Sequence, residues 1–356
     1  MTDLRVMESI TNEPGISGGS SFSINKFAKA NRVKEVMTTS DFGFMADLID
    51  RGVMAGYMDQ VVPATFTTLG YRRDTKELAR AGGKGQGKDY QINAPRLIPP
   101  VREKGEYLPI DPDDTYYSFK TYKYGCQWDI SWEAWLNDNR DLNLLGDYPQ
   151  SWGMSAMYTR EYLFTQAFAA NATFFTDAQG NLNDDAGGAL SATSLAAAIV
   201  AIRGLADPAG NVGSYAGPLY LVVPPSLEFT ARAIVGSPNL ITGANGTLSE
   251  FNPMYNAVQV VVNHFLPTID AVQGTIGWYL FCDPRIRPAV RYGFLAGYEE
   301  PEIFIKAADA QRLAGGSGDP FDGSFLDDDI AFKLRFTFGA DLVDYRGAYW
   351  SKGTAP

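Results

Sequence analysis

The sequence is poor in the residues from which most catalytic and metal centres are built. It holds one histidine, His264, and two cysteines, Cys126 and Cys282. A structural zinc site of four cysteines, or of paired cysteines and paired histidines, therefore cannot be assembled. Neither cysteine has a second one at CxxC spacing. They lie in the aromatic and apolar runs YKYGCQW and YLFCD and read as free, reduced core thiols that do not bridge. His264 sits in the β-branched run QVVVNHFLP and reads as a packing or locally hydrogen-bonded residue, because no nucleophile stands in relation to it.

Basic charge is also scarce. Thirty Lys and Arg stand against forty-one Asp and Glu, a net charge of −11. That balance excludes tight, general binding to phosphate backbones unless the cations are strongly segregated. No apolar run approaches the roughly 18 residues of a membrane span. The opening MTDLRVMESITNEPG has neither a basic nor an apolar secretory region, so a cytosolic site of synthesis is expected.

What the chain does have is bulk, turns and rings. Hydrophobic residues make up 45 % and aromatics 13 %, with 36 glycines and 20 prolines among 356 residues. At roughly 150 residues per domain this length suggests about two compact units. Residues 12–23 are rich in Gly, Ser and Asn and read as a flexible arm. Ser40 is a candidate N-cap for a helix in which Met45, Leu48, Ile49, Val53 and Met54 recur at helical spacing, before Pro63 forbids continuation. From Tyr71 to Pro112 the chain is charged and glycine-rich, with the proline-stiffened stretch PRLIPPVREKGEYLPIDPDD reading as the tip of a projecting hairpin.

Tyr116 to Ile130 then alternates, with Tyr122, Tyr124, Cys126, Trp128 and Ile130 on one face, which predicts one half-buried strand. A long helix follows, carrying Met154, Met157, Tyr158, Phe164 and Phe168 on one side. The break DAQGNLNDDAGG places a boundary near residue 190, beyond which Leu195, Ile199, Ile202 and Ala206 open an α/β unit. LYLVVPPSLEFTARAIV reads as a strand and a proline-initiated helix, and AVQVVVNHF and GWYLFCD as buried strands. Ile330, Phe332, Leu334, Phe336 and Phe338 alternate again and predict a strand returning to the first unit's sheet.

Two motifs invite chemistry and fail its requirements. Gly82 with Gly87 and Lys88 has the spacing of a phosphate-binding loop, but Asp89 occupies the position that needs a hydroxyl, and TKELARA before it is not a buried strand. Acidic clusters at Asp111, Asp113 and Asp114, at Asp184 and Asp185, and at Asp327, Asp328 and Asp329 lack the glycine and terminal glutamate of a calcium loop, and read as solvated turns.

The order of parts resembles the major capsid protein of tailed bacteriophages, particularly the Mu-like major head subunits. The likeness is carried by CQWDISWEAWLND, by LYLVVPPSLEFTARAIV and by the ending FKLRFTFGADLVDYRGAYW, in that order along the chain. It implies an α+β, tailed-phage major capsid fold. Its parts would be an N-arm at 1–62, an E-loop hairpin at 72–118, a P-domain at 119–189 and 316–356 with a spine helix at about 146–171, and an inserted α/β A-domain at 190–315.

The resemblance further implies hexamers and pentamers of an icosahedral shell around double-stranded DNA, in the virion, with no enzymatic activity, no cofactor and no membrane contact. Scaffold, portal and decoration proteins would be separate partners. At the E-loop tip, Arg102, Glu103, Lys104 and Glu106 are the expected intersubunit residues. Some relatives join an E-loop lysine covalently to a neighbour's asparagine; Lys84, Lys88 and Lys104 are present here, but nothing marks a partner asparagine. The alternatives are an encapsulin-type nanocompartment shell and, from another class, a soluble nucleotide-binding enzyme.

Overall fold

The computed structural model describes residues 39–58, 64–79, 86–91, 100–107, 115–131, 133, 144–184, 188–206, 210, 215–242, 248–309 and 324–353. The expected arm at 12–23, the glycines before Gln86, the aspartates at 111, 113, 114 and 185, and Lys84 lie outside these residues.

Helix α1 spans Thr39–Met58, so Ser40 stands inside it rather than at its cap. The short α2, Thr65–Leu69, leads directly into β1, Gly70–Arg72. Strands β2, Gln86–Gln91, and β3, Thr115–Lys120, form an antiparallel hairpin, and β4, Tyr122–Ser131, starts after a single residue. Where the alternation predicts one strand, the chain changes partner at Thr121. This fully buried residue accepts a hydrogen bond from the Thr75 hydroxyl at 2.9 Å on its side chain, and one from the Ala79 amide at 2.9 Å on its carbonyl. Those bonds hold it to the segment after β1 and end one ladder before the next begins.

Helix α3, Leu144–Phe168, is 25 residues long, about 38 Å at 1.5 Å per residue, and ends before the expected 171. After β5, Leu182–Asn183, the Ser191 hydroxyl accepts the Ser194 amide and caps α4, Ala192–Gly204. Ala206 falls beyond that helix. Strand β6, Leu219–Val223, is stopped by Pro224 and Pro225 and followed by α5, Glu228–Gly236. The chain continues through β7, Asn239–Thr242; β8, Leu248–Phe251; β9, Gln259–Val262; the single turn α6, Leu266–Ile269; and β10, Trp278–Cys282. It ends in β11, Val290–Gly293; β12, Glu302–Ile305; β13, Asp329–Leu342; and β14, Ala348–Ser351.

Two five-stranded sheets organise these elements into a mixed α+β fold. In the first, β13 pairs antiparallel with β4 through residues 329–338, with β12 and with β11, and β1 joins β11 in parallel. The returning strand thus meets the sheet of the earlier part of the chain. In the second the order is β5-β14-β10-β6-β9. Pairing crosses the sequence limits drawn at 189/190 and 315/316, because β11 and β12 join β13, and β14 joins β10.

Alternation explains how one strand serves two cores. On β10, Tyr279 and Phe281 enter an aromatic core with Phe66, Phe164, Phe168, Tyr292, Phe338 and Trp350. Trp278, Leu280 and Cys282 enter the other core, with residues of α4, β6 and α5. Some rings of the first core meet edge to face, as Phe66 and Phe338 at 5.6 Å and Phe168 and Phe281 at 5.2 Å, and others stack, as Tyr279 and Trp350 at 5.7 Å. Helices α1 and α3 approach closely because of glycine. A Cβ on Gly56 would strike the Gln150 carbonyl, and one on Gly153 would strike the Val53 carbonyl.

Phe338 is fully buried at the junction of α2, β11 and β13. Phe338→Ala should lower unfolding free energy by about 3–5 kcal/mol, read by urea denaturation of the soluble subunit. A loss below about 1 kcal/mol would show that this junction is not part of the cooperative core.

Candidate functional site

Among the described residues, the sequence's hints of chemistry do not come together as a catalytic centre. Among the described residues no group of three or more His, Cys, Asp and Glu could hold a metal ion. Gly87 and Lys88 lie within strand β2, not in a loop between a strand and a helix, so they cannot cradle a phosphate with a helix N-terminus. His264 is exposed rather than packed. Asp184 forms an ion pair with Lys352 at 2.6 Å.

Cys282 is buried as expected, and desolvation pushes its thiol up to about 12. Cys126 is not a core thiol: it is exposed. It lies on β4, which pairs with β13 alone and forms a sheet margin. Opposite it Leu334 packs against Val53 and Ala156 of the helix pair, which covers β13 more fully than its outer neighbour. Of the face expected to be half-buried, Ile130 is buried while Tyr122 and Cys126 are exposed. A thiol reagent should therefore modify Cys126 in the native subunit and Cys282 only after unfolding, as read by peptide mass spectrometry. Equal labelling of both in the native state would contradict this placement.

A cleft of about 460 Å³ lies between Phe175, Leu182, Val272 and Trp350. Its two charged groups already have local partners. The Asp270 carboxylate accepts the amides of Val272 and Gln273 at 3.0 Å each, and Lys352 is held by Asp184. It contains no nucleophile poised beside a base.

Three buried polar anchors fix the parts of the chain, and sequence periodicity alone did not reveal them. Arg160 shares the inner line of α3 with Phe164 and Phe168. Its guanidinium lies 4.5 Å from the Tyr57 ring centre, 4.9 Å from that of Phe294 and 5.2 Å from that of Phe336, and it donates to the Glu299 carbonyl at 3.0 Å. Burial lowers its pKa, yet guanidinium remains a cation in proteins. The visible signal was a charge at four-residue spacing from two phenylalanines on the apolar face.

The next residue, Glu161, points elsewhere. One carboxyl oxygen accepts the Thr65 and Phe66 amides at 3.0 and 3.3 Å, and the other shares a short hydrogen bond with the Thr65 hydroxyl. Asn263 joins the cluster by donating to Thr165 at 2.7 Å and Thr65 at 3.4 Å. Desolvation dominates and raises the Glu161 pKa to about 8, against the two amide bonds that lower it. A neutral carboxyl suits this geometry, one oxygen donating to Thr65 and the other accepting two amides. Because the folded-state value lies above the ordinary carboxylate value, its contribution to stability is complete below about pH 4.5 and lost as pH rises through about 8. Glu161→Gln should flatten the decline in stability over that window in denaturant titrations. An unchanged pH slope would contradict a neutral Glu161.

The third anchor holds the foot of the hairpin. Arg291 is 2 % exposed, stacks 3.9 Å over Phe119 of β3 and donates to the Arg73 carbonyl at 3.1 Å. Gly87 passes so close that a Cβ there would stand 3.3 Å from the guanidinium. Beyond this foot, the described residues 100–107 are all exposed, including Tyr107 at 85 %. Arg102, Glu103, Lys104 and Glu106 share a turn closed by the Gly105 amide on the Arg102 carbonyl at 2.8 Å, with Lys104 at φ 60. The structure brings these four side chains together on one small, solvent-facing segment.

A sequence model of the family described as phage capsid protein matches residues 115–351, two thirds of the chain. The chain belongs to the phage capsid protein family. Membership accounts for a fold that spends its buried polar groups on anchoring rather than chemistry, and it makes this a structural shell protein. No curated protein matches the capsid chain.

Solved structures resemble it at low identity. The capsid of Cyanophage P-SCSP1u shares 12 % identity with a TM-score of 0.46, covering 80 % of this chain and 86 % of that one. A Mycobacterium phage Adephagia chain shares 13 % with a TM-score of 0.45, covering 95 % and 99 %. The encapsulin of Synechococcus elongatus shares 11 % with a TM-score of 0.45, covering 93 % and 95 %. Family membership rests on the sequence match. Among the described residues no helix is long and apolar enough to cross a membrane.

Proposed function

We propose that this capsid protein is the major head subunit of a tailed phage, of the Mu-like kind, and that it forms hexamers and pentamers of an icosahedral shell enclosing double-stranded DNA. In this reading 1–62 is the arm, 72–118 the E-loop, 119–189 with 316–356 the P-domain, and 190–315 the A-domain. The protein carries out no catalysis, and scaffold, portal and decoration proteins act as separate partners. The observation that carries the reading is the segment 100–107, which exposes every residue beyond a hairpin anchored at its foot. An isolated subunit gains little from ordering such a projection, whereas a neighbour could cover its backbone, its tyrosine and its charges. The net charge of −11 supports it further, since an acidic wall encloses DNA without adhering to it.

Replacing residues 95–114 with a short Gly-Ser linker tests the reading. The shortened chain should keep the circular dichroism and melting temperature of the parent subunit, because the described part of the segment, 100–107, is exposed. It should form no shells by electron microscopy, where the full chain does. Normal assembly of the shortened protein, or its failure to fold, would refute the assignment of this segment to intersubunit contact.

A further inference from the structure

We propose that Glu161 is a proton-operated latch within the fold, whose neutral carboxyl holds the start of α2 on α3 and whose ionised form releases it. The device belongs to the subunit and stands apart from the shell reading.

The latch is one carboxyl shared between two elements. Glu161 is 1 % exposed, and both of its oxygens are engaged by residues that open α2, one by the Thr65 and Phe66 amides and the other by the Thr65 hydroxyl. Ala64, ahead of α2, offers these amides no side-chain acceptor, so the acceptor comes from α3 instead. Thr65, Thr165 and Asn263 around the carboxyl are equally buried. Nothing else on the surface of α3 fixes the two amides.

The groups that face Glu161 are neutral. Helix α2 reads TFTTL and has no ionisable side chain. The chain after β9 contributes the Asn263 amide, bonded to Thr65 and Thr165, while the neighbouring His264 is exposed. From β11, Tyr292 packs on the Phe66 ring at 5.2 Å. On α3 itself, Arg160 turns to the rings of Tyr57, Phe294 and Phe336 and to the Glu299 carbonyl, and Tyr162 lies against Phe265. A charge formed on Glu161 therefore meets no cation, and desolvation outweighs the amides that favour it. The departing proton passes to solvent, and the carboxylate is relieved by water that reaches it as the start of α2 lifts.

The latch acts on the connection that carries the hairpin. Helix α2 leads directly into β1, and the segment after β1 bonds the hairpin's foot through the Arg73 carbonyl and the Thr75 hydroxyl. The Phe66 ring remains wedged against Tyr292 and Phe338, which confines the release to the first turn.

Hydrogen exchange of the soluble subunit, corrected for the pH dependence of intrinsic exchange, tests the latch. Because the folded-state value lies above the ordinary carboxylate value, closure is favoured in acid and weakens as pH rises. Protection of the Thr65 and Phe66 amides should fall at least tenfold between about pH 5 and about pH 8, level off above, and stay below that of β10 and β13 amides at every pH. Glu161→Gln keeps an acceptor for the amides and a donor for Thr65 but has no proton to lose, so its protection should not change over this range. The parent series decides alone if that variant does not fold. Constant protection in the parent, exchange of the two amides only at the rate of the core strands, or a folded Glu161→Gln that follows the parent's pH dependence would each overturn the latch. Assembly or its absence bears on the shell reading alone.

Discussion

A strand of fourteen residues whose one face reads Ile330, Phe332, Leu334, Phe336 and Phe338 exposes a long apolar band unless another element lies along it. That requirement organises the first part of the fold. Helix α3 is long enough to run the length of the band, and α1 fills beside it, with Ile49 against Ile130, Ile330 and Phe332 and with Val53 against Leu334 and Phe336. The helix pair can lie this low only because Gly56 and Gly153 let two backbones touch. Segments nearly three hundred residues apart thus complete one core, a non-local arrangement that ties the first described helix to the last long strand.

The buried polar anchors serve the same end. Arg160 ties α3 to the rings of Tyr57, Phe294 and Phe336, Glu161 ties it to the start of α2, and Arg291 ties the hairpin to β11 and the segment after β1. Each is a buried polar group that contacts segments distant in sequence, so each specifies one relative placement of neighbouring elements. The consequence for function is a division of labour. A rigid body carries a hairpin beyond whose foot residues 100–107 stand exposed.

Much of this body was legible from periodicity. The alternation of 330–338 and the helical spacing through Phe164 and Phe168 are strong signals, because a period is set by one face meeting one core. The break at Thr121 was not legible, since alternation continues through it and the partner change depends on Thr75 and Ala79, some forty residues earlier. Exposure of Cys126 escaped for a related reason. Periodicity reports which face a residue shares, but not how far a covering helix reaches across the sheet. The charged, proline-flanked stretch was legible as a projecting segment, whereas the roles of Arg160, Glu161 and Arg291 emerge only when distant segments are brought together.

The central claim is that residues 100–107, wholly exposed in the subunit, are covered by a neighbour in the assembled protein. Hydrogen exchange on the two states measures this directly. The account predicts fast exchange of these amides in the dissociated subunit and strong protection in the shell, with the core strands β10 and β13 slow in both. Equal, fast exchange of 100–107 in subunit and shell would contradict it.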